Sequence, residues 1–335
     1  MDLQRRTQRF CGAVLVCAIL FRLLSGGLLG KMVKALSSPE VVSFLLYLET
    51  GRVFRPVQTP EPPPTTMPSA PTEPSTAPTE PSLPPELPVF SPIDAALVDM
   101  NNACGYEPDM EALLQKPLIW DLTADAPTVL ILHSHATESY IPTEDYAESS
   151  PYRTLDTGYN VVSIGERIAE ELEQGGIRVI HDKTLHDHPS YSDAYNNSRK
   201  AAQKYLEQYP SVCLVLDIHR DAVEDKTGSQ LGYTVDVNGQ KAAQLMLVSG
   251  TDASGLSHPD WQDNLALAAK LHAQLEKNNP GICRPISFRS QRFNQDLSPG
   301  ALLVEVGAAG NTRQEALFSA ELLVQAILDL AHGTK

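Results

Sequence analysis

The sequence predicts an α/β domain over residues 128–335, and three observations carry that expectation. Short uninterrupted apolar runs recur, among them "TVLILH", "SVCLVLDIHR" and "ALLVEVG", as strands buried on both faces require. Segments of helical periodicity separate them. The two patterns alternate to the end of the chain, which is the order of an open α/β sheet, and no internal repeat interrupts them.

The elements follow in order. "TVLILH" is a continuous apolar strand. "NVVSIGERIAEELEQGG" is an amphipathic helix with Val161, Ile164, Ile168 and Leu172 on one face and Gly175-Gly176 as its stop. "IRVIHD" is the next strand, and "SDAYNNSRKAAQKYLEQYP" a helix opened by a Ser or Asp cap. "SVCLVLDIHR" is a buried strand in which Cys213 is a small core residue. "YTVDVNGQKAAQLMLVSG" forms a hairpin turning at Asn238-Gly239, a favoured two-residue turn. "PDWQDNLALAAKLHAQLEKNNPGI" is a helix, "ALLVEVG" a buried strand and "TRQEALFSAELLVQAILDLA" the closing helix.

Upstream the composition changes. Arg5, Arg6 and Arg9 precede an apolar run from Phe10 to Phe21, so residues 1–31 read as a cytoplasmic stub and membrane anchor with the remainder outside the cytoplasm. No A-x-A cleavage pattern stands out, which favours an uncleaved anchor. Arg22 opposes it, at roughly 2.5 to 3.5 kcal/mol unless the side chain snorkels. Residues 32–55 are a juxtamembrane segment with a short helix in "ALSSPEVVSFLLYLETG". Residues 56–92 are a Pro-rich linker, a semi-rigid spacer reaching on the order of 100 Å at about 3.1 Å per residue. Residues 93–127 are a lead-in to the domain.

The formal charge of −15 over 335 residues excludes nucleic-acid binding through bulk charge. Beyond the anchor, Cys104, Cys213 and Cys283 make an odd set with no spacing ladder, so no disulfide framework is expected.

Ligands and catalytic groups of open α/β sheets collect beyond the carboxyl ends of the strands. Three strands here end in such residues: "VLIL" in His133, His135 and Glu138, "LVLDI" in His219, and "LLV" in Glu305. A catalytic zinc site takes three His or carboxylate ligands and leaves a position for water, whose pKa falls to about 7, while a further carboxylate moves the proton. That set suits amide hydrolysis. Glu305 is the sharpest candidate, because a carboxylate inside a buried strand is costly unless it sits at the sheet's mouth. His181, His186 and His188 read as loop histidines, and His258, His272 and His332 as surface residues.

"LILHSHATESY", "VLDIHRDA" and above all "RFNQDLSPGALLVEVGAAGNT" resemble the stage II sporulation protein P family, grouped with the zinc-dependent N-acetylmuramoyl-L-alanine amidases. The resemblance covers about residues 128–333. It implies a zinc amidase fold with a mixed, mostly parallel twisted sheet of six strands or so and helices on both faces. It places zinc (Zn2+) ligands at His135 and His219 and the catalytic carboxylate at Glu305. The third ligand falls to Glu138, with His133 and Asp156 as alternatives, since the family's helix-start glutamate is replaced here by "LDTGYN". Asp187 and Arg199 are its expected structural counterparts of a strand-end Asp and a helix Arg, and Arg220 or Asp221 is expected near substrate. The resemblance further implies cleavage of the muramoyl–L-alanine amide of peptidoglycan, in some members of peptide crosslinks too. The setting it implies is engulfment during sporulation, at the membrane, beside a glycan-cleaving enzyme and a membrane scaffold.

Overall fold

The computed structural model describes residues 92–118, 120–143 and 151–332. The anchor, the juxtamembrane segment and the linker up to residue 91 lie outside the described residues. Among the described residues no helix is long and apolar enough to cross a membrane.

In chain order the elements are α1 (Pro92–Ala95), β1 (Met100–Asn102), α2 (Met110–Gln115), β2 (Val129–Leu132), α3 (Val161–Gln174), β3 (Val179–His181), α4 (Ala194–Gln208), β4 (Leu214–Asp221), β5 (Thr234–Val237), β6 (Gln240–Ala243), β7 (Leu245–Ser249), α5 (Trp261–Asn278), β8 (Ile286–Phe288), β9 (Ala301–Ala308) and α6 (Arg313–His332). The main sheet has seven strands in the order β1-β8-β7-β9-β4-β2-β3. Every pairing is parallel except β7 with β9, so β2, β3, β4 and β9 run one way and β1, β7 and β8 the other. The sheet exceeds the expected six because β1 and β8 have three residues each, too few for a pattern to announce. β1 comes from the lead-in segment.

Helices cover both faces unequally. Val129, Ile131, Leu214, Leu216, Ile218, Leu302, Val304 and Val306 join the large core built with α3, α5 and α6. Leu130, Leu132, Val215 and Ala301 form a smaller cluster with Ala202 of α4 on the other face. Successive strand residues point to opposite faces. The face that presents Val215 and Ala301 therefore presents Asp217, His219 and Glu305 further along, turning ionisable towards the strands' carboxyl ends.

Asn160 caps α3 by accepting from the Val162 N–H at 3.0 Å, and Gly176 at φ 86° ends it. α4 departs from expectation: it is entered through a 3-10 turn at Tyr191–Asp193 that contains Ser192, and Asp193 at its N-cap makes no side-chain cap. Asn238 (φ 55°) and Gly239 (φ 84°) form the expected hairpin turn of β5 and β6. Its second arm ends at Ala243, and the chain continues as β7 into the main sheet, because Leu245 and Leu247 are fully buried in the core, whereas β5 pairs only with β6. Cys213 is half-buried just before β4 rather than in its core.

His258 and His272 are buried, not surface residues. His258 Nε2 pairs with Asn264 Oδ1 at 2.9 Å, and Asn264 donates to the Ser298 and Ala301 carbonyls, so the histidine belongs to a polar brace at the foot of β9. His272 lies on α5, buried continuously from Asn264 to Leu275.

Gly300 leads into β9 where a Cβ would overlap the Cys213 carbonyl oxygen. Gly300→Ala should force the β4 and β9 entries apart and cost about 3 kcal/mol, the upper part of the range for overpacking. Urea unfolding checks it; a loss under about 0.5 kcal/mol would refute the close approach.

Candidate functional site

β4 and β9 pair in parallel with His219 opposite Glu305. The loop after β2 brings Glu138 to the same place, its Oε2 3.4 Å from His219 Nδ1. On the other side of the ring, His219 Nε2 stands 2.9 Å from Asp217 Oδ1, an ion-pair separation without hydrogen-bond alignment. Asp217 accepts from the Ser134 N–H at 2.7 Å and from its hydroxyl at 2.5 Å. Burial disfavours a charged His219, but Asp217 and Glu138 outweigh it and hold the imidazole well above its ordinary pKa. Burial likewise works against the Glu138 carboxylate, yet Arg220 and His219 draw it down to about 2. Glu305 has less help: burial pushes it up to about 8, His219 pulling against that and Glu138 adding to it.

His135 completes the group. Its ring lies edge-on to His219, centroids 5.4 Å apart, stacks on Tyr191 at 4.5 Å and meets Tyr195 edge-on at 5.3 Å. Burial lowers its pKa, which favours the neutral ring that a metal requires.

The loop from His135 to Tyr140 is held from several sides. Thr137 gives its N–H and hydroxyl to Asp187, the hydroxyl at 2.6 Å. Arg153 bridges Asp187 at 2.9 Å and Glu138 at 3.4 Å. Arg220 is buried, donating to the Ser139 carbonyl at 2.9 Å and the Tyr152 carbonyl at 2.8 Å, so it fastens this loop rather than facing substrate. Asp221 pairs with Arg284 at 2.7 Å. Tyr140 donates to the Val306 carbonyl at 2.9 Å. Arg199 of α4 grips Asp296 with both terminal nitrogens, at 2.8 and 2.7 Å.

The two alternatives for the third ligand lie elsewhere. His133 shares a strand face with Val129 and Ile131 and points away from His219, its Nδ1 on the Ile218 carbonyl at 3.0 Å and its Nε2 on His181 Nε2 at 2.9 Å. Burial, then His181, lowers it to about 3. His181, expected in a loop, ends β3 and pairs with Glu166 at 3.0 Å, and His186 pairs with Asp182 at 3.1 Å. Asp156 is exposed, accepting from the Gly158 N–H in a local turn.

The donors present fit a zinc ion in kind. His135 Nδ1 and Glu305 Oε2 are buried without a hydrogen-bond partner among the described residues. Imidazole nitrogens with carboxylates are the usual donors of catalytic zinc. Among the described residues no three His, Cys, Asp or Glu side chains are spaced as a ready metal-binding group, His219 being turned into its ion pairs with Asp217 and Glu138.

Asp217 was missing from the residues singled out by sequence, although a signal existed: it breaks the apolar run "LVLDIH" two places before His219 and so shares its face. Arg153 and Tyr195 gave none.

The model of the family described as Stage II sporulation protein P (SpoIIP) matches residues 73–328. Stage II sporulation protein P of Bacillus subtilis (strain 168) is 28% identical over 204 residues, 58% of this chain and 48% of that protein, so the match spans about half the relative's length. Among solved structures, an N-acetylmuramoyl-L-alanine amidase from Clostridium difficile 630 aligns over 63% of this chain and 100% of its own at 15% identity, TM-score 0.37. The amidase AmiC2 of Nostoc punctiforme aligns over 61% and 94%, at 15% identity and TM-score 0.35. With the family match running through most of its length and through every residue of the site, this chain belongs to the Stage II sporulation protein P family.

Proposed function

We propose that the protein is a zinc-dependent peptidoglycan hydrolase of sporulation that cleaves the amide between the lactyl group of N-acetylmuramic acid and L-alanine. The observation that supports it is the cluster at the strand ends: His219 in register with Glu305, 3.4 Å from Glu138 and beside His135. His135, Glu138 and His219 would hold the zinc. When bound, zinc supplies a Lewis acid for the scissile carbonyl and acidifies water to a pKa of about 7. Asp217 fixes the orientation of His219. Glu305, unpartnered and held near neutrality, takes the proton of the attacking water and delivers it to the leaving nitrogen of L-alanine. In this reading the first 92 residues carry an anchor and a spacer that let the domain reach the wall from the extracytoplasmic side of the cell membrane. The proposed partners are a glycan-cleaving enzyme and a membrane scaffold of engulfment.

Digestion of purified peptidoglycan with analysis by mass spectrometry tests the reaction. New L-alanine amino termini are expected; acetate release would make the protein a deacetylase, and cuts confined to the stem peptide would make it a peptidase. A chelator should abolish hydrolysis and zinc restore it. His219→Ala should lose stoichiometric zinc, and a normal zinc content in that variant would remove His219 from the ligand set.

A further inference from the structure

The segment "RFNQDLSPG" runs into β9, and none of its side chains belongs to the histidine and carboxylate cluster. Two of its polar side chains, Asn294 and Asp296, are directed at the first turns of α4. Asn294 Nδ2 donates to the Tyr195 carbonyl at 2.9 Å and to the Ser198 hydroxyl at 3.2 Å. Asp296 holds Arg199, which also reaches Asn294 Oδ1 at 3.3 Å. Ser198 in turn meets the Ser134 hydroxyl at 2.7 Å, and Ser134 holds Asp217.

The segment is also strained. Phe293 and Asn294 have φ of 50° and 60°, left-handed values that a bulky residue such as Phe rarely adopts, at a cost of about 1 to 3 kcal/mol. Such strain persists where the surroundings over-determine it, and here they converge on one side chain. The Phe293 ring lies 6.1 Å from that of Tyr195. Tyr195 stands edge-on to His135 at 5.3 Å and nearly parallel to His219 at 6.5 Å, so it forms a wall of the site. The described residues give its hydroxyl no hydrogen-bond partner. A ring needed only for packing would be served by Phe; the Tyr195 hydroxyl is unengaged by the described residues and is free to donate to a bound substrate.

We infer that the Tyr195 hydroxyl donates a hydrogen bond to the oxyanion of the scissile amide, an inference that rests on the amide-hydrolysis reading above. As water adds to the carbonyl carbon, the C=O electron pair moves onto oxygen, where the phenol meets it without giving up its proton. The water's proton passes to Glu305 and then to nitrogen as the C–N bond breaks. Donors aimed at developing charge are worth about 10²- to 10³-fold in rate.

The test uses the zinc-loaded full chain in detergent with a muramoyl-peptide substrate. Tyr195→Phe should lower kcat by about 10²-fold with KM, zinc content and Tm close to those of the parent. A phosphinate analogue of the tetrahedral intermediate should bind the variant about 10²-fold more weakly by calorimetry, while the uncleaved substrate analogue binds equally. A variant with kcat within about threefold of the parent overturns the inference and leaves the amidase reading standing. A loss of kcat accompanied by loss of zinc or of Tm, or by equal weakening of both analogues, assigns Tyr195 a packing role and overturns it too. A parent that releases no L-alanine termini defeats the functional reading, and this inference with it.

Discussion

Glu305→Gln should cripple hydrolysis while making the metal-free protein more stable. The carboxyl sits in the middle of the sheet with Oε2 unpartnered, and burial raises its pKa from 4.5 to about 8. A group whose folded-state pKa lies above its unfolded value stabilises the fold fully below the unfolded value, here about pH 4.5, and that contribution disappears as the pH rises through about 8. Each unit is worth about 1.36 kcal/mol, and allowing for partial access to solvent the penalty at pH 7 to 8 is about 2 kcal/mol. Glutamine has nothing to ionise. Urea unfolding in chelator should show parent and variant converging near pH 5 and the variant ahead by about 2 kcal/mol at pH 8. Its rate should fall about 10³-fold, in the range for a general acid–base group. Retained lysis would remove Glu305 from the reaction, and equal stability at both pH values would show that the buried charge carries no penalty.

Glu138 should show the opposite balance. Its carboxylate faces Arg220, Arg153 and His219, and Arg220 is 5% exposed. Glu138→Ala leaves that guanidinium buried without its counter-charge, which costs about 3 to 5 kcal/mol. Glu138→Gln keeps an acceptor for the Arg220 N–H, 3.3 Å from Oε2 in the parent, and should cost less than half as much. Both should fail to retain zinc. The depressed pKa gives a further signature: the contribution of Glu138 is present above about pH 4.5 and lost as the pH falls to about 2, so the acid limb of the stability profile should flatten in the Gln variant. Full zinc in Glu138→Gln would show that this carboxylate is a brace for Arg220 and not a ligand.

How much of this was legible depended on range. β2, β4, β9 and α3 announced themselves because their signals are local: unbroken apolar runs, and Val161, Ile164, Ile168 and Leu172 at helical spacing, all buried. β1 and β8 did not, because their strand character comes from pairing with each other across more than 180 residues. The contest at His133, Glu138 and Asp156 was open in the sequence for lack of three-dimensional direction. Strand alternation sends His133 to the far side of the sheet, where it meets His181, and Gly165 leaves the space for both rings. Tyr195 was invisible for the same reason as β1. What marks it is an Asn294 side chain 99 residues away.

The sheet's order carries a consequence for timing. β9 pairs with β4 on one side and β7 on the other, so it is the ladder that joins the β4-β2-β3 block to the β7-β8-β1 block among the described residues. It is also the last of the described strands and the one that bears Glu305. A chain emerging from its N-terminus therefore carries two unconnected sheet fragments and an incomplete site until residue 308 has appeared. The last residue of the site arrives in a single late event, ahead only of α6, which closes the large core, and a product cut short before β9 lacks both Glu305 and the ladder that joins the two blocks.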